Sequence, residues 1–152
     1  MLRHAVATVA YRAAKVVREA PPDFGNYRAA PMTRTAAQIV SHMAVLLEWS
    51  TRAADGDAVW RQSISNSWNI ELSRFFTALK MFDERLKTQV PLVCSPERIF
   101  QGPIADVLTH IGQLATRRRM AGTGVRGESY FDAEITAGRV GMDQALPIHE
   151  FD

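Results

Sequence analysis

Cysteine is almost missing from this sequence: Cys94 stands alone. A single thiol closes no internal disulfide, so the fold must be held by an apolar core, and the pattern suits a reducing compartment. Long apolar runs are missing as well. None approaches the ~18 residues that a membrane-spanning helix needs, and the opening Met1-Leu2-Arg3-His4-Ala5 leads into alternating polar and apolar residues, unlike the core of a secretory signal. The expected location is the cytoplasm, with no membrane partner. Neither sign of charge dominates. The net charge is +2, with charged residues at 22% and spread along the chain, which gives no broad basic face for a nucleic acid. The one basic cluster, Arg117-Arg118-Arg119, falls where a helix is expected to end, and there guanidinium groups complement the terminal carbonyls. No nucleic-acid partner is expected. The sequence also lacks sustained period-two alternation, a repeat of fixed length and any low-complexity tract.

What remains is a chain of 152 residues, 47% of them hydrophobic, enough for the core of one ordinary domain. Its apolar residues recur at helical spacing in four segments. The first spans residues 2–20, with Val6, Val9, Ala10, Ala13, Val16 and Val17 on one stripe and Pro21-Pro22 as its stop. The second spans 35–54, opened by Thr33 or Thr35 as a cap and carrying Ile39, Met43, Leu46, Leu47 and Ala53 inward. A third, 67–88, has the strongest stripe: Trp68, Leu72, Phe75, Phe76, Leu79, Phe82 and Leu86. Ser95-Pro96-Glu97 predicts a short helical turn, after which Gly102-Pro103 opens a fourth helix ending near Arg119. The expected fold is all-α, a four-helix bundle over residues 1–122, with an irregular C-terminal extension, 123–152, packed on the same domain. The loop over 55–65 leaves open whether the second and third helices join as a hairpin or by a crossover.

Metal-ligating chemistry concentrates on two of these helices. Asp106 and His110 are four residues apart on the fourth, so both side chains leave one face, close enough to grip a single ion. Gln113 lies on that face one turn further and is a candidate partner for a ligating imidazole. His42 sits among the apolar positions of the second helix, three residues after Ile39, and a buried imidazole there needs a partner. Two imidazoles and a carboxylate suit a divalent ion such as Zn(II), Ni(II), Fe(II) or Mn(II). The plainer reading is a dipole-favoured Asp in a first turn and a hydrogen-bonded core His. His4 and His149 are expected at the surface. Cys94, in a loop, is read as an ordinary thiol, and Trp49, Trp60 and Trp68 as packing residues, with a pocket mouth as their alternative. Glu48 and Glu71 are further carboxylates that the sequence does not place.

The run Met32-Thr33-Arg34-Thr35-Ala36-Ala37-Gln38-Ile39-Val40-Ser41-His42-Met43 resembles the second-helix motif of the DinB/YfiT-like superfamily, and Ala105-Asp106-Val107-Leu108-Thr109-His110-Ile111-Gly112-Gln113-Leu114 resembles its fourth-helix motif. Residues 117–122, 127–131 and 137–141 resemble the C-terminal extension of one branch of that superfamily. The resemblance implies a four-helix bundle, often a homodimer, holding a divalent metal through a histidine of the second helix and a His-x-x-x-His pair on the fourth. On this chain His42 and His110 match two of those ligands, and Asp106 replaces the first histidine of the pair. That replacement keeps a competent ligand while lowering the effective charge of the ion. The activity implied is metal-dependent chemistry on a small molecule, of a thiol-dependent S-transferase or hydrolase type. The alternative is a non-catalytic helical module that binds a small molecule or serves a stress response, with a structural or adventitious metal.

Overall fold

The computed structural model describes residues 1–151. It is mostly helical: α1 (Leu2–Val17), α2 (Ala36–Ala53), α3 (Trp68–Lys87), a short α4 (Pro96–Ile99) and α5 (Ala105–Met120). The only sheet among the described residues is a two-residue antiparallel pair, β1 (Gly127–Glu128) with β2 (Glu150–Phe151). No described helix is long and apolar enough to cross a membrane.

The predicted stripes supply most of the core, with Leu72, Phe76 and Leu86 of α3 only partly buried against it. Val6, Val9, Ala10, Ala13, Val16 and Val17 of α1 are buried together with Ile39, Met43, Leu46 and Leu47 of α2 and with Phe75, Leu79 and Phe82 of α3. Val107, Ile111 and Leu114 complete the cluster from α5. α2 packs along α3 and α5, and α1 along α3 and α5, so the four long helices share one interior. Trp68 belongs to it, edge-on to Phe24 with ring centroids 5.5 Å apart. A Cβ at Gly25 would lie 2.5 Å from Trp68 Cβ, so only glycine lets the 24–26 turn close over the indole.

Two helix boundaries differ from the sequence expectation. α1 stops at Val17 rather than near Ala20, because Arg18 turns extended (φ −57°, ψ 136°) and Glu19 takes a left-handed φ of 57° ahead of Pro21. The second difference concerns Gly102-Pro103, which does not open a helix. α4 and α5 are one helical run joined by a π turn, Phe100–Ile104, with Pro103 inside it. Pro103 has no N–H to give the Ile99 carbonyl, and in the wider turn the Ala105 N–H reaches back to the Phe100 carbonyl instead. The extra residue rotates everything after it by about 100° relative to an uninterrupted α-helix.

The extension folds back on α1. Tyr11 Oη donates to Glu128 Oε1 at 2.6 Å, and Lys15 Nζ lies 3.0 Å from Glu128 Oε2 and 2.5 Å from Glu150 Oε1. Burial and the Glu128 carboxylate together hold the Tyr11 phenol well above its ordinary pKa, so it remains the donor. Arg118 is the buried member of the arginine cluster. Its Nη1 donates to the Val16 carbonyl at 2.7 Å and the Arg18 carbonyl at 3.2 Å, and its Nε to the Thr123 carbonyl at 2.7 Å. One side chain thus satisfies the frayed end of α1 and the first residues of the extension.

A candidate metal centre between α2 and α5

α2 begins where the sequence sets it. Thr35 Oγ1 accepts from the Gln38 N–H at 3.1 Å, and Gln38 Oε1 accepts from the Thr35 N–H at 2.8 Å, a reciprocal capping box. One turn on from Gln38, His42 leaves the same face. On α5, Asp106 lies in the first turn and His110 one turn later, and the two helices pack side by side. His42 Nε2 is 3.8 Å from Asp106 Oδ2, His110 Nε2 is 3.5 Å from Asp106 Oδ1, and the imidazole centroids are 5.0 Å apart at 84°. One donor atom from each of the three residues falls within 4.8 Å of the others. The group could hold a metal ion.

An ion about 2.1 Å from each of several tetrahedral donors holds those donors about 3.4 Å apart. The carboxylate–imidazole distances of 3.5 and 3.8 Å run to different Asp106 oxygens and lie near that value, while the set as a whole, spread over up to 4.8 Å, would draw in on a bound ion. Gln113 is placed as the sequence suggested, with its Oε1 3.0 Å from His110 Nδ1. An amide oxygen only accepts, so Nδ1 carries the proton and the Nε2 lone pair faces Asp106. Burial, followed by the positive charge of Arg34 and the neighbouring His110, depresses the His42 pKa, with Asp106 opposing. His42 is thereby held in the neutral form that ligates.

The centre is not sealed in the interior, as inward-facing histidines had implied. His110 is almost buried, His42 is 22% exposed at the side chain and Asp106 46%. The reason is that the irregular segment 54–67, and no helix, crosses the outer side of α2 here. Trp60, in that segment, has its ring 5.8 Å from His42. It lines two cavities. One, of about 340 Å³, is lined by Arg34, Gln38, Ser41, His42, Val45, Trp60 and three residues of the segment. The other, of about 540 Å³, includes Leu46, Trp49, Trp60, Pro103, Asp106 and Thr109. The segment is tied at both ends: Trp49 Nε1 donates to the Ala58 carbonyl at 2.8 Å, Arg74 Nη1 to Ser63 Oγ at 2.6 Å, and the Asn66 N–H to Glu71 Oε1 at 2.7 Å.

Other sequence candidates lie elsewhere. Glu48 is held bidentately by Arg74, and Glu71 is fully buried beside the same guanidinium. His149 pairs with Asp132 at 3.4 Å in the extension, His4 is exposed on α1, and Cys94 is half-buried in the loop before α4. Sequence reasoning missed Gln38 and Arg34 as cavity walls. The first was readable, being one turn before His42, whereas Arg34 and Trp60 sit in irregular backbone where periodicity carries no signal. Comparison with family models, curated proteins and solved structures gives no match.

Proposed function

We propose that this chain is a divalent-metal-binding four-helix bundle of the DinB/YfiT-like type, in which His42, Asp106 and His110 hold one ion that serves chemistry on a small molecule. The observation that carries the reading is the convergence of one donor atom from each residue within 4.8 Å, at the foot of two open cavities. Zn, Ni, Fe and Mn all suit two imidazoles and a carboxylate. Such an ion acidifies bound water or polarises a ligand oxygen, and three protein donors leave it a position to do so, which favours a transferase or hydrolase type of reaction. The chain's own part is to fix the His110 tautomer through Gln113, keep His42 neutral, and wall the open side with Trp60. The same reading includes a homodimer, supported by the exposed apolar side chains Val59, Trp60 and Ile64 on one segment.

Elemental analysis of protein purified without a metal-affinity tag tests the centre. About one ion per chain is expected, lost in His110→Ala with helical circular dichroism unchanged. Equal metal in that variant refutes the assignment. Azide added to the cobalt form then separates the two kinds of site, since an open position shifts the visible spectrum and a closed structural one leaves it still.

A further inference from the structure

The cavity beside His42 has an uneven charge. Its wall carries one formal charge, the Arg34 guanidinium, and no carboxylate; beside the His42 imidazole and the Trp60 indole, the remaining polar groups are the amides of Gln38 and Gln62 and the hydroxyls of Ser41, Ser63 and Ser65. Arg34 is exposed, and among the described residues its guanidinium has no ion pair or hydrogen bond. The backbone it stands on is held by two more arginines. Arg28 Nη1 donates to the Thr33 carbonyl and Arg117 Nη1 to the Arg34 carbonyl, and neither has a carboxylate partner among the described residues. Arg34 is therefore the one cation of this cavity wall and has no carboxylate partner, whereas the other arginines facing α2, Arg74 and Arg85, are matched by Glu48 and Asp55. A guanidinium with free donors at a cavity edge, and neutral donors along the wall, selects an oxyanion.

We propose that the ligand of this centre is a small organic anion that spans the cavity, its carboxylate or phosphate on Arg34 and its other end at the ion held by His42, Asp106 and His110. The inference rests on the metal reading above and adds the charge of the ligand to it. His42 is both a donor of the centre and, with Arg34, part of the wall of this cavity of about 340 Å³, so one small molecule lodged there can meet the guanidinium and reach the centre past the His42 imidazole. The apolar contribution comes from Val45 and the Trp60 ring, which give the ligand's connecting carbons a dry surface. A neutral ligand of the same length would leave Arg34 unmatched.

A matched pair of hydroxamates tests this. Both grip the metal of the cobalt-loaded protein; succinic monohydroxamate ends in a carboxylate and butanohydroxamate in a methyl group. The visible cobalt spectrum is expected to report binding of the carboxylate form about tenfold tighter or more. Arg34→Gln should erase that preference while leaving butanohydroxamate affinity and cobalt stoichiometry as they were. Equal affinities in the unaltered protein overturn the inference and leave the metal centre standing, as does a preference that survives in Arg34→Gln. A protein that takes up no cobalt overturns the metal reading and the inference together. Inorganic phosphate is the control for source: competition against succinic monohydroxamate alone supports a shared oxyanion position, and equal competition against both hydroxamates overturns it.

Discussion

At the scale of single residues, two side chains matter beyond the donors themselves. Gln113 Oε1 lies 3.0 Å from His110 Nδ1, and an accepting oxygen there favours the tautomer in which Nε2 is the ligating nitrogen. Gln113→Leu should lower metal affinity about 10–100-fold, and Gln113→Glu, which keeps the acceptor, should retain it; competition with a chromophoric chelator reads both. Arg118 is the structural counterpart. Its guanidinium is buried and spans the Val16, Arg18 and Thr123 carbonyls, so Arg118→Met exchanges those bonds for an apolar stem of similar length. A loss of about 2 kcal/mol is expected from the orphaned carbonyls, read by urea unfolding with an unchanged m-value. The sequence placed this residue in a cluster that complements the carbonyl end of its own helix. What it did not show is that α1 ends three residues early and presents its carbonyls to α5, a contact set by tertiary packing alone.

Among the elements, the helices were the legible part and their junctions were not. Thr35 and Gln38 announce the start of α2 because both halves of a capping box lie within four residues. Asp106, His110 and Gln113 were legible for the same reason, since one helix fixes their spacing. Pro103 misled because a proline near a helix start and a proline inside a π turn look alike in sequence; only the pairing of Ala105 with Phe100 distinguishes them. The β1–β2 pair, two residues on each strand, is too short for any alternation to register. Its chemistry nevertheless gives it a pH dependence. Lys15 holds the Glu150 carboxylate below its ordinary pKa, so the ionised form is the one the fold prefers. Stability from this contact is complete above the unfolded-state pKa of Glu150 and disappears as pH falls through the lower folded value. Acidification should therefore loosen the extension before the helices. Amide exchange is the measurement: the Ser129 N–H, bonded to the His149 carbonyl, should lose protection at acid pH while α2 and α3 keep theirs. In Lys15→Met the loss should begin at higher pH, the ordinary range of a glutamate.

For the whole molecule, the segment 54–67 decides what the surface offers. It carries Val59 and Ile64 largely exposed and Trp60 nearly half so, a concentration of apolar area beside a polar centre. Covering it with a second copy gives the proposed homodimer, and sedimentation velocity at micromolar concentration should show a dimer that Ile64→Asp converts to monomer. A monomer in the unaltered protein counts against that reading without touching the metal centre. The three tryptophans are also unevenly placed. Trp68 is sealed in the core, Trp49 stands on α2 with its indole N–H donating to the Ala58 carbonyl, and Trp60 alone has its ring against His42. An excited indole transfers energy readily to a nearby ion with a partly filled d shell, and hardly at all to zinc. The molecule therefore carries its own gauge of occupancy: cobalt or nickel entering the site should dim the solvent-exposed, red-shifted share of the emission that belongs to Trp60 and leave the blue-shifted share from Trp68, with no label attached.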